Sequence, residues 1–228
     1  MNKAYTIILV LVAVTVGAQD GADQTIEELF LGQQIELQIM RSQANSNDRD
    51  VKLLALDNIR TMAESGSVPD GVYDILNTLA LEGTGRQVRE GNVLVNNFPL
   101  VRMEAAEVLG DIGGERAVNS LIDILRNDPE PVVLAEAAFS LGEIGINDNN
   151  VVSGFLVQTL LVENASPTPD NNLAFAIILA LENISASNGG LNDPNAINAI
   201  LEVTERPYIR PVQLRAQQAI QNMIRHGA

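Results

Sequence analysis

Apolar positions recur along most of this chain at helical spacing, in two alternating forms. The first form is clearest in two segments. Val101 to Gly113 reads VRMEAAEVLGDIG, and Val133 to Gly145 reads VLAEAAFSLGEIG. Shifted by 32 residues, Val101, Glu104, Ala105, Ala106, Leu109, Gly110, Ile112 and Gly113 all meet identical residues. Weaker copies start at Val51 (VKLLALDNIRTMA), Leu173 (LAFAIILALENIS) and Val212 (VQLRAQQAIQNMI). The anchor positions Ile59, Leu109, Leu141, Leu181 and Ile220 advance by 50, 32, 40 and 39 residues. Offsets 0, 4, 8 and 11 of each copy are small or apolar, which is one face of a helix. The recurrent alanines predict close approach between helices.

A second helical pattern lies between the copies. Val72, Ile75, Leu76 and Leu79 fall at offsets 0, 3, 4 and 7, as do Val118, Leu121, Ile122 and Leu125. Val152, Phe155, Leu156 and Thr159 follow, then Ile197, Ile200, Leu201 and Thr204, with Thr replacing the last aliphatic residue twice. Each unit therefore reads as a helix A, a turn and a helix B. Gly66, Gly113-Gly114 and Gly145 stand where helix A stops. Pro69, Pro129, Pro131, Pro194, Pro207 and Pro211 stand at helix starts or in links. A single hairpin cannot bury its apolar face, whereas stacked hairpins can. The pattern thus predicts an all-α solenoid of about five helical hairpins over residues 48–228.

The flanks read differently. Lys3 precedes an apolar run from Tyr5 to Val16, followed by Val16-Gly17-Ala18 with small residues at the −3 and −1 positions of a cut after Ala18. This is the pattern of a secretory signal peptide over residues 1–18. The run is shorter than the roughly 20 residues a membrane span needs, so the expectation is a periplasmic or secreted protein that is not integral to the membrane. Residues 19–47 read as a capping helix and a polar loop. Thr25 with Glu28 forms a capping box ahead of Ile26, Leu29, Phe30 and Leu37. An end repeat needs such a cover.

Composition narrows the chemistry. The 228 residues hold 14 Lys+Arg, 29 Asp+Glu, one His and no Cys, for a net charge of −15. The absence of Cys excludes disulfides and thiolate chemistry, and a lone His226 excludes a Ser/His/Asp triad or a multi-His metal centre. The acidic balance argues against nucleic acid as a partner. Carboxylate pairs such as Asp111/Glu115 and Glu104/Glu107 lack the platform of a glycosidase. The Asn147–Asn150 run lacks the frame of a calcium loop, and Gly110–Gly114 is no phosphate cradle. The expectation is no catalytic residue, no metal and no cofactor. The charge is also uneven. Residues 19–202 carry 9 Lys+Arg against 28 Asp+Glu, a net of −19, whereas residues 203–228 carry Arg206, Arg210, Arg215 and Arg225 against Glu205, a net of +3.

The stretch LGDIGGERAVNSLIDILRNDPEPVVLAEAAFSLGEIG, Leu109 to Gly145, resembles the HEAT repeat in its short bacterial form, related to the phycobilin-lyase-type repeat. The likeness is strong in those two units and moderate around Val51, Leu173 and Val212. It is interrupted by an insert at Gly85 to Pro99 (GRQVREGNVLVNNFP) and by polar links at 164–172 and 186–194. The resemblance implies a HEAT-like solenoid whose B helices line the concave side. Offsets 1 and 5 of each B helix then flank that surface: Tyr73 and Asn77, Asn119 and Asp123, Ser153 and Val157, Asn198 and Glu202. By likeness to the Asn ladder of armadillo proteins, these side chains are candidates for binding the backbone of a peptide. Secondary candidates are Arg86, Arg89 and Phe98 in the insert, and Arg206, Arg210 and Arg215 at the basic end. The function expected is a non-enzymatic scaffold or adaptor with a protein partner in the cell envelope. One alternative is a structural subunit that self-associates head-to-tail through its acidic body and basic end. The other is an enzyme of the lyase type.

Overall fold

The computed structural model describes residues 26–66, 68–85, 87–191 and 193–227, with side chains from Leu31 onward. The expected signal segment, the Thr25/Glu28 capping box and Arg86 lie outside the described residues. The chain divides into two units between Ile35 and Glu36, partway along α1 (Ile26–Ala44). The first unit is described here only as the helical stretch 26–35. The second carries every repeat.

The expected all-α, HEAT-like stack is the fold observed in that second unit. Helix A and helix B alternate as α2 (Arg49–Glu64) and α3 (Asp70–Ala80), α4 (Pro99–Ile112) and α5 (Gly114–Asn127), α6 (Pro131–Ile144) and α7 (Val151–Asn164), and α8 (Asn171–Ser187) and α9 (Pro194–Val203). The fifth copy, α10 (Arg210–His226), is an A helix alone among the described residues. The A helices α2, α4, α6, α8 and α10 pack in succession to form one layer, and α3, α5, α7 and α9 form the other. Helix ends follow the sequence signals. Gly66, Gly113 and Gly145 take positive φ just past the A helices, where a side chain would be strained. Pro99, Pro131, Pro194 and Pro211 sit in first turns.

The A-layer register is the one the sequence predicts in the first four copies, whereas in α10 Ala219 is buried and the anchor Ile220 only partly so. Ala55 and Ile59, Ala105 and Leu109, Ala137 and Leu141, and Ile177 and Leu181 are all fully buried. Two glycines set the closest approaches. A Cβ on Gly110 would stand 2.6 Å from the Ser140 hydroxyl oxygen, and one on Gly142 would stand 2.6 Å from the Ala180 Cα. The Ser140 hydroxyl also donates to the Ala106 carbonyl at 3.0 Å, tying α6 to α4. Within the second unit, the end of α1 buries Leu37, Met40 and Ala44 and joins α2 through Asn58 Nδ2, which donates to Gln43 Oε1 at 3.1 Å.

Two buried cations hold the links that lead into and out of the early A helices. Arg102 and Lys52 occupy the same place in their units, offset 1 of helix A. Arg102 is fully buried and binds Asp128 through both Nε (2.5 Å) and Nη2 (3.1 Å). Its Nη1 donates to the Glu82 carbonyl (3.0 Å) and to Asn97 Oδ1 (2.8 Å). Lys52 Nζ donates to the Ala44 carbonyl (2.6 Å) and to Glu82 Oε2 (2.8 Å). Glu82 thus links the two cations, by its carboxylate to one and its carbonyl to the other. In the next two units the offset-1 residues are Leu134 and Ala174, and the junction becomes neutral. Buried Asn164 donates to the Ala199 carbonyl (3.0 Å) and accepts from the Tyr208 hydroxyl (2.8 Å). Burial, with the Glu163 carboxylate adding to it, pushes the Tyr208 hydroxyl well above its ordinary value, so the group stays a neutral donor. Tyr208→Phe orphans Asn164 Oδ1 and is expected to cost about 1–2 kcal/mol, read as a shifted denaturant midpoint with an unchanged slope.

The insert forms a small hairpin, β1 (Arg89–Glu90) against β2 (Val93–Leu94), antiparallel with Arg89 facing Leu94. It is fastened at its base. Buried Asn96 accepts the Val88 N–H at 2.8 Å, Asn97 holds Arg102, and Phe98 packs on the core. Gly83 has φ +77, and a Cβ there would strike the Asn96 carbonyl.

Candidate functional site

The B helices carry the predicted surface, and their registers decide which side chains reach it. In α3 the predicted face is the buried one: Val72, Ile75, Leu76 and Leu79 are in the core. In α9 the buried residues are Ala196, Ala199, Ile200 and Val203, one position earlier than predicted, so Leu201 is half exposed at 49%. In α7 the frame moves the other way. Ser153, Leu156, Val157 and Leu160 are buried together with Val152. The outward stripe is Val151, Gly154, Gln158, Leu161 and Val162.

Two of the eight primary candidates are therefore corrected. Ser153 is fully buried, with its N–H donating to Asn147 Oδ1 (2.9 Å) and its hydroxyl to the Asn150 carbonyl (3.2 Å). It belongs to the capping of α7. Val157 is 4% exposed and is core. The cause lies in the sequence VVSGFLVQTLLV, which is apolar on nearly every side. It leaves no polar stripe to fix the register. The capping turn ahead of it, where Asn149 and Asn150 take positive φ, sets the rotation of the helix instead.

The other six reach the surface to different degrees. Asn119 and Asn198 are exposed. Asp123 is half-buried, with Arg126 at 4.0 Å. Glu202 pairs with Arg206 at 3.6 Å. Tyr73 serves the joint between units: Arg116 lies 4.9 Å over its ring and its hydroxyl donates to the Gly113 carbonyl at 3.4 Å. Asn77 is partly buried, its Oδ1 without a hydrogen-bond partner. Among the secondary candidates, Arg89 is exposed at the hairpin, where its guanidinium donates to Gln87 Oε1 at 3.3 Å. Phe98 anchors the insert rather than standing free. Arg215 is consumed by Glu182 at 2.5 Å, with Asn222 on the same carboxylate, so it staples α10 to α8. Arg210 is exposed. The basic end is thus thinner as a docking patch than its net charge suggests.

Periodicity did not reveal the seam between α5 and α7. Two hollows lie along it. One, of about 220 Å³, is lined by Glu115, Val118, Asn119 and Ile122 from α5 with Asp148, Val151 and Val152 opposite. The other, of about 540 Å³, is lined by Leu125 and Arg126 with Phe155, Gln158, Thr159 and Val162. The Arg126 guanidinium lies 5.8 Å over the Phe155 ring. Val162, Val151 and Leu161 are exposed at 68%, 48% and 40%. The available signal was the unbroken apolar run of α7, longer than one buried face requires.

On the A layer, Arg60 binds Glu107 (2.7 Å) and Glu104 (3.6 Å) across α2 and α4. Glu136 on α6 is pushed above the ordinary carboxyl value of 4.5, first by burial and then by Glu107 and Asp111. The fold therefore disfavours its charged form: stability is withheld above the raised value and returns as pH falls through it. Glu136→Gln is expected to raise the melting temperature at pH 7, with no gain below pH 4.5, where the carboxyl is protonated folded or unfolded. The group is partly exposed, so the gain stays below about 1 kcal/mol. Among the described residues no cluster of His, Cys, Asp or Glu has the arrangement to hold a metal ion, and no helix is long and apolar enough to cross a membrane.

Comparison with known proteins bears out the resemblance. Residues 92–142, from the hairpin of the insert through most of α6, match the family model for HEAT repeats. Among solved structures, the chain is similar to one from the complex of CpcE and CpcF of phycocyanin lyase from Nostoc sp. PCC7120. The TM-score is 0.57 and the identity 20%, covering 83% of this chain and 65% of that one. At that identity the likeness is one of fold, and this chain spans 65% of the other's length. No curated protein sequence matches the chain.

Proposed function

We propose that this protein is a non-enzymatic scaffold or adaptor that binds a protein partner through the outer face of its B-helix layer, and that it works in the cell envelope after export. HEAT repeats and a structural neighbour that is itself part of a protein complex support a protein partner. The observation that carries the choice of face is the outward stripe of α7. Aliphatic side chains exposed on a repeat surface, beside free amides such as Asn119, are the usual composition of a docking surface. The export reading rests on residues 1–18 and predicts a mature chain that begins at Gln19, to be read from the intact mass of the fractionated protein.

The test of the face is photo-crosslinking in cells. Benzoylphenylalanine placed at Asn119 or Asn198 is expected to give discrete adducts of higher mass. The same group at Glu107 on the A layer is expected to give none. Adducts confined to Glu107 would move the site to the other layer.

The lyase reading draws on the fold of the neighbour alone. The two described groups with raised pKa, Glu136 on α6 and Tyr208 ahead of α10, lie on different elements and share none of the neighbours that shift them. The head-to-tail reading loses much of its support, because Arg215 and Arg206 are already paired. Light scattering at low and high salt is expected to show the same monomer mass in both. Salt-sensitive oligomers would revive the structural-subunit reading.

A further inference from the structure

The α5–α7 seam is bipolar. The two hollows share it, because Val118, Ile122 and Leu125 run along α5 at steps of three and four while Val152, Phe155 and Val162 run along α7 opposite. At the end nearest the helix N-termini stand the exposed carboxylates of Glu115 and Asp148. At the other end stands Arg126, 59% exposed, touching Asp123 only at 4.0 Å. Asp128 also lines that end, but both its oxygens are bound to Arg102 in the core. The floor between the charged ends is apolar, and Asn119 and Gln158 stand beside it, with no side-chain partner among the described residues, to hydrogen-bond a passing backbone.

We infer that this seam binds an extended segment of a partner protein of about six residues, with a Lys or Arg side chain at one end, apolar residues in the middle and an Asp or Glu side chain at the other. The inference rests on the B-layer reading above and names the partner's chemistry. Length follows from geometry. The 14 residues of α5 span about 20 Å at roughly 1.5 Å per residue, and a strand advances about 3.3 Å per residue. Polarity follows from charge complementarity, which fixes register and rejects wrong partners more than it adds affinity. The single cation at one end matters because the protein as a whole carries −15. A non-specific surface would simply prefer the most basic peptide.

The test uses that contrast, and the protein's lack of Trp supplies the readout. The probe is acetyl-Lys-Ala-Trp-Leu-Ala-Glu-amide, whose only carboxylate is its side chain, titrated against the full chain while the peptide Trp emission is followed. Two controls carry Lys at both ends or Glu at both ends. The bipolar peptide is expected to shift its emission to the blue, bind with a Kd on the order of 0.1–1 mM, and bind about fivefold tighter than either control. Arg126→Glu is expected to reverse the order in favour of the Lys/Lys peptide. Glu115→Lys with Asp148→Lys is expected to reverse it in favour of Glu/Glu. Val162→Ser, which removes apolar floor without adding charge, is expected to weaken all three. These positions are exposed, so circular dichroism should show unchanged helix content.

The inference is overturned if wild type binds the Lys/Lys peptide as well as the bipolar one, if Arg126→Glu leaves the order unchanged, or if no peptide shifts up to the highest concentration reached. Photo-crosslinks at Asn119 that persist beside such a failure would leave the B-layer reading standing and remove only this account of its partner.

Discussion

Arg102→Ala is expected to lose about 3–5 kcal/mol of stability, the largest loss of any single change away from the aliphatic core. The guanidinium is fully buried and makes four hydrogen bonds. Removing it leaves the Asp128 carboxylate in the interior without a countercharge, along with the Glu82 carbonyl and Asn97 Oδ1. A buried ion pair adds little net stability over an apolar pair of the same shape, but half a pair is costly. Arg102→Met combined with Asp128→Leu should therefore lose less than Arg102→Ala alone. Asp128 Oδ1 also accepts the Glu130 N–H at 2.9 Å, so the double variant still loses something. Chemical denaturation of Arg102→Met, Asp128→Leu and the double variant gives the coupling directly. Losses that simply add would mean that the pair is not a unit. The damage should also spread to the insert, because Asn97 and Glu82 are held by the same group. Faster hydrogen exchange at residues 88–97 would report it.

Gly142→Ala is expected to cost about 2 kcal/mol although alanine favours helix more than glycine does. The propensity gain is about 1 kcal/mol. Against it, the new Cβ falls 2.6 Å from the Ala180 Cα. That neighbour is backbone in the middle of α8, so it cannot rotate away, and the two helices must separate. Gly154→Ala is the internal control. Its Cβ meets nothing within 4 Å, so propensity alone should act and the variant should gain stability. Opposite signs in thermal melts of the two variants are the expected result. If both gain, α6 and α8 are not packed at glycine distance. Gly110 stands 32 residues before Gly142 in the matching copy, but its new Cβ would meet a serine side chain first. Turning the Ser140 hydroxyl relieves only its oxygen: the Ser140 Cβ, fixed by the α6 backbone, would still stand 2.7 Å away, so Gly110→Ala should also lose stability.

The two glycines show where reading the sequence stops. They recur at one repeat position, where the pattern alone marks the alanines, not the glycines, as the points of close approach. What stands opposite each glycine depends on what the next helix brings to it, Ser140 in one unit and Ala180 in the other. The candidate surface divides the same way. Asn119 reads outward because α5 has enough polar residues to mark an outer side, and Asn198 is exposed although α9 sits one position from the predicted register. Ser153 and Val157 were misplaced because α7 is apolar on both sides. An inward apolar face and an exposed docking face look alike in a one-dimensional pattern. The same ambiguity that hid the register of α7 marks its outer stripe as unusual.

By itself the sequence determined the helical class, the repeat of hairpins, the helix ends at glycine and proline, and the register of the first four A helices. All of these follow from local geometry: 3.6 residues per turn, the left-handed freedom of glycine and the fixed φ of proline. Only the tertiary structure decided the rotation of α7 and α9, the shared use of Glu82 by Lys52 and Arg102, the pairing of Arg215 with Glu182, and the bipolar seam between α5 and α7. Each depends on groups tens of residues apart whose juxtaposition is set by how one unit stacks on the next. A periodic pattern fixes which face of a helix is buried only when its two faces differ. It carries no information about which distant charge will stand opposite.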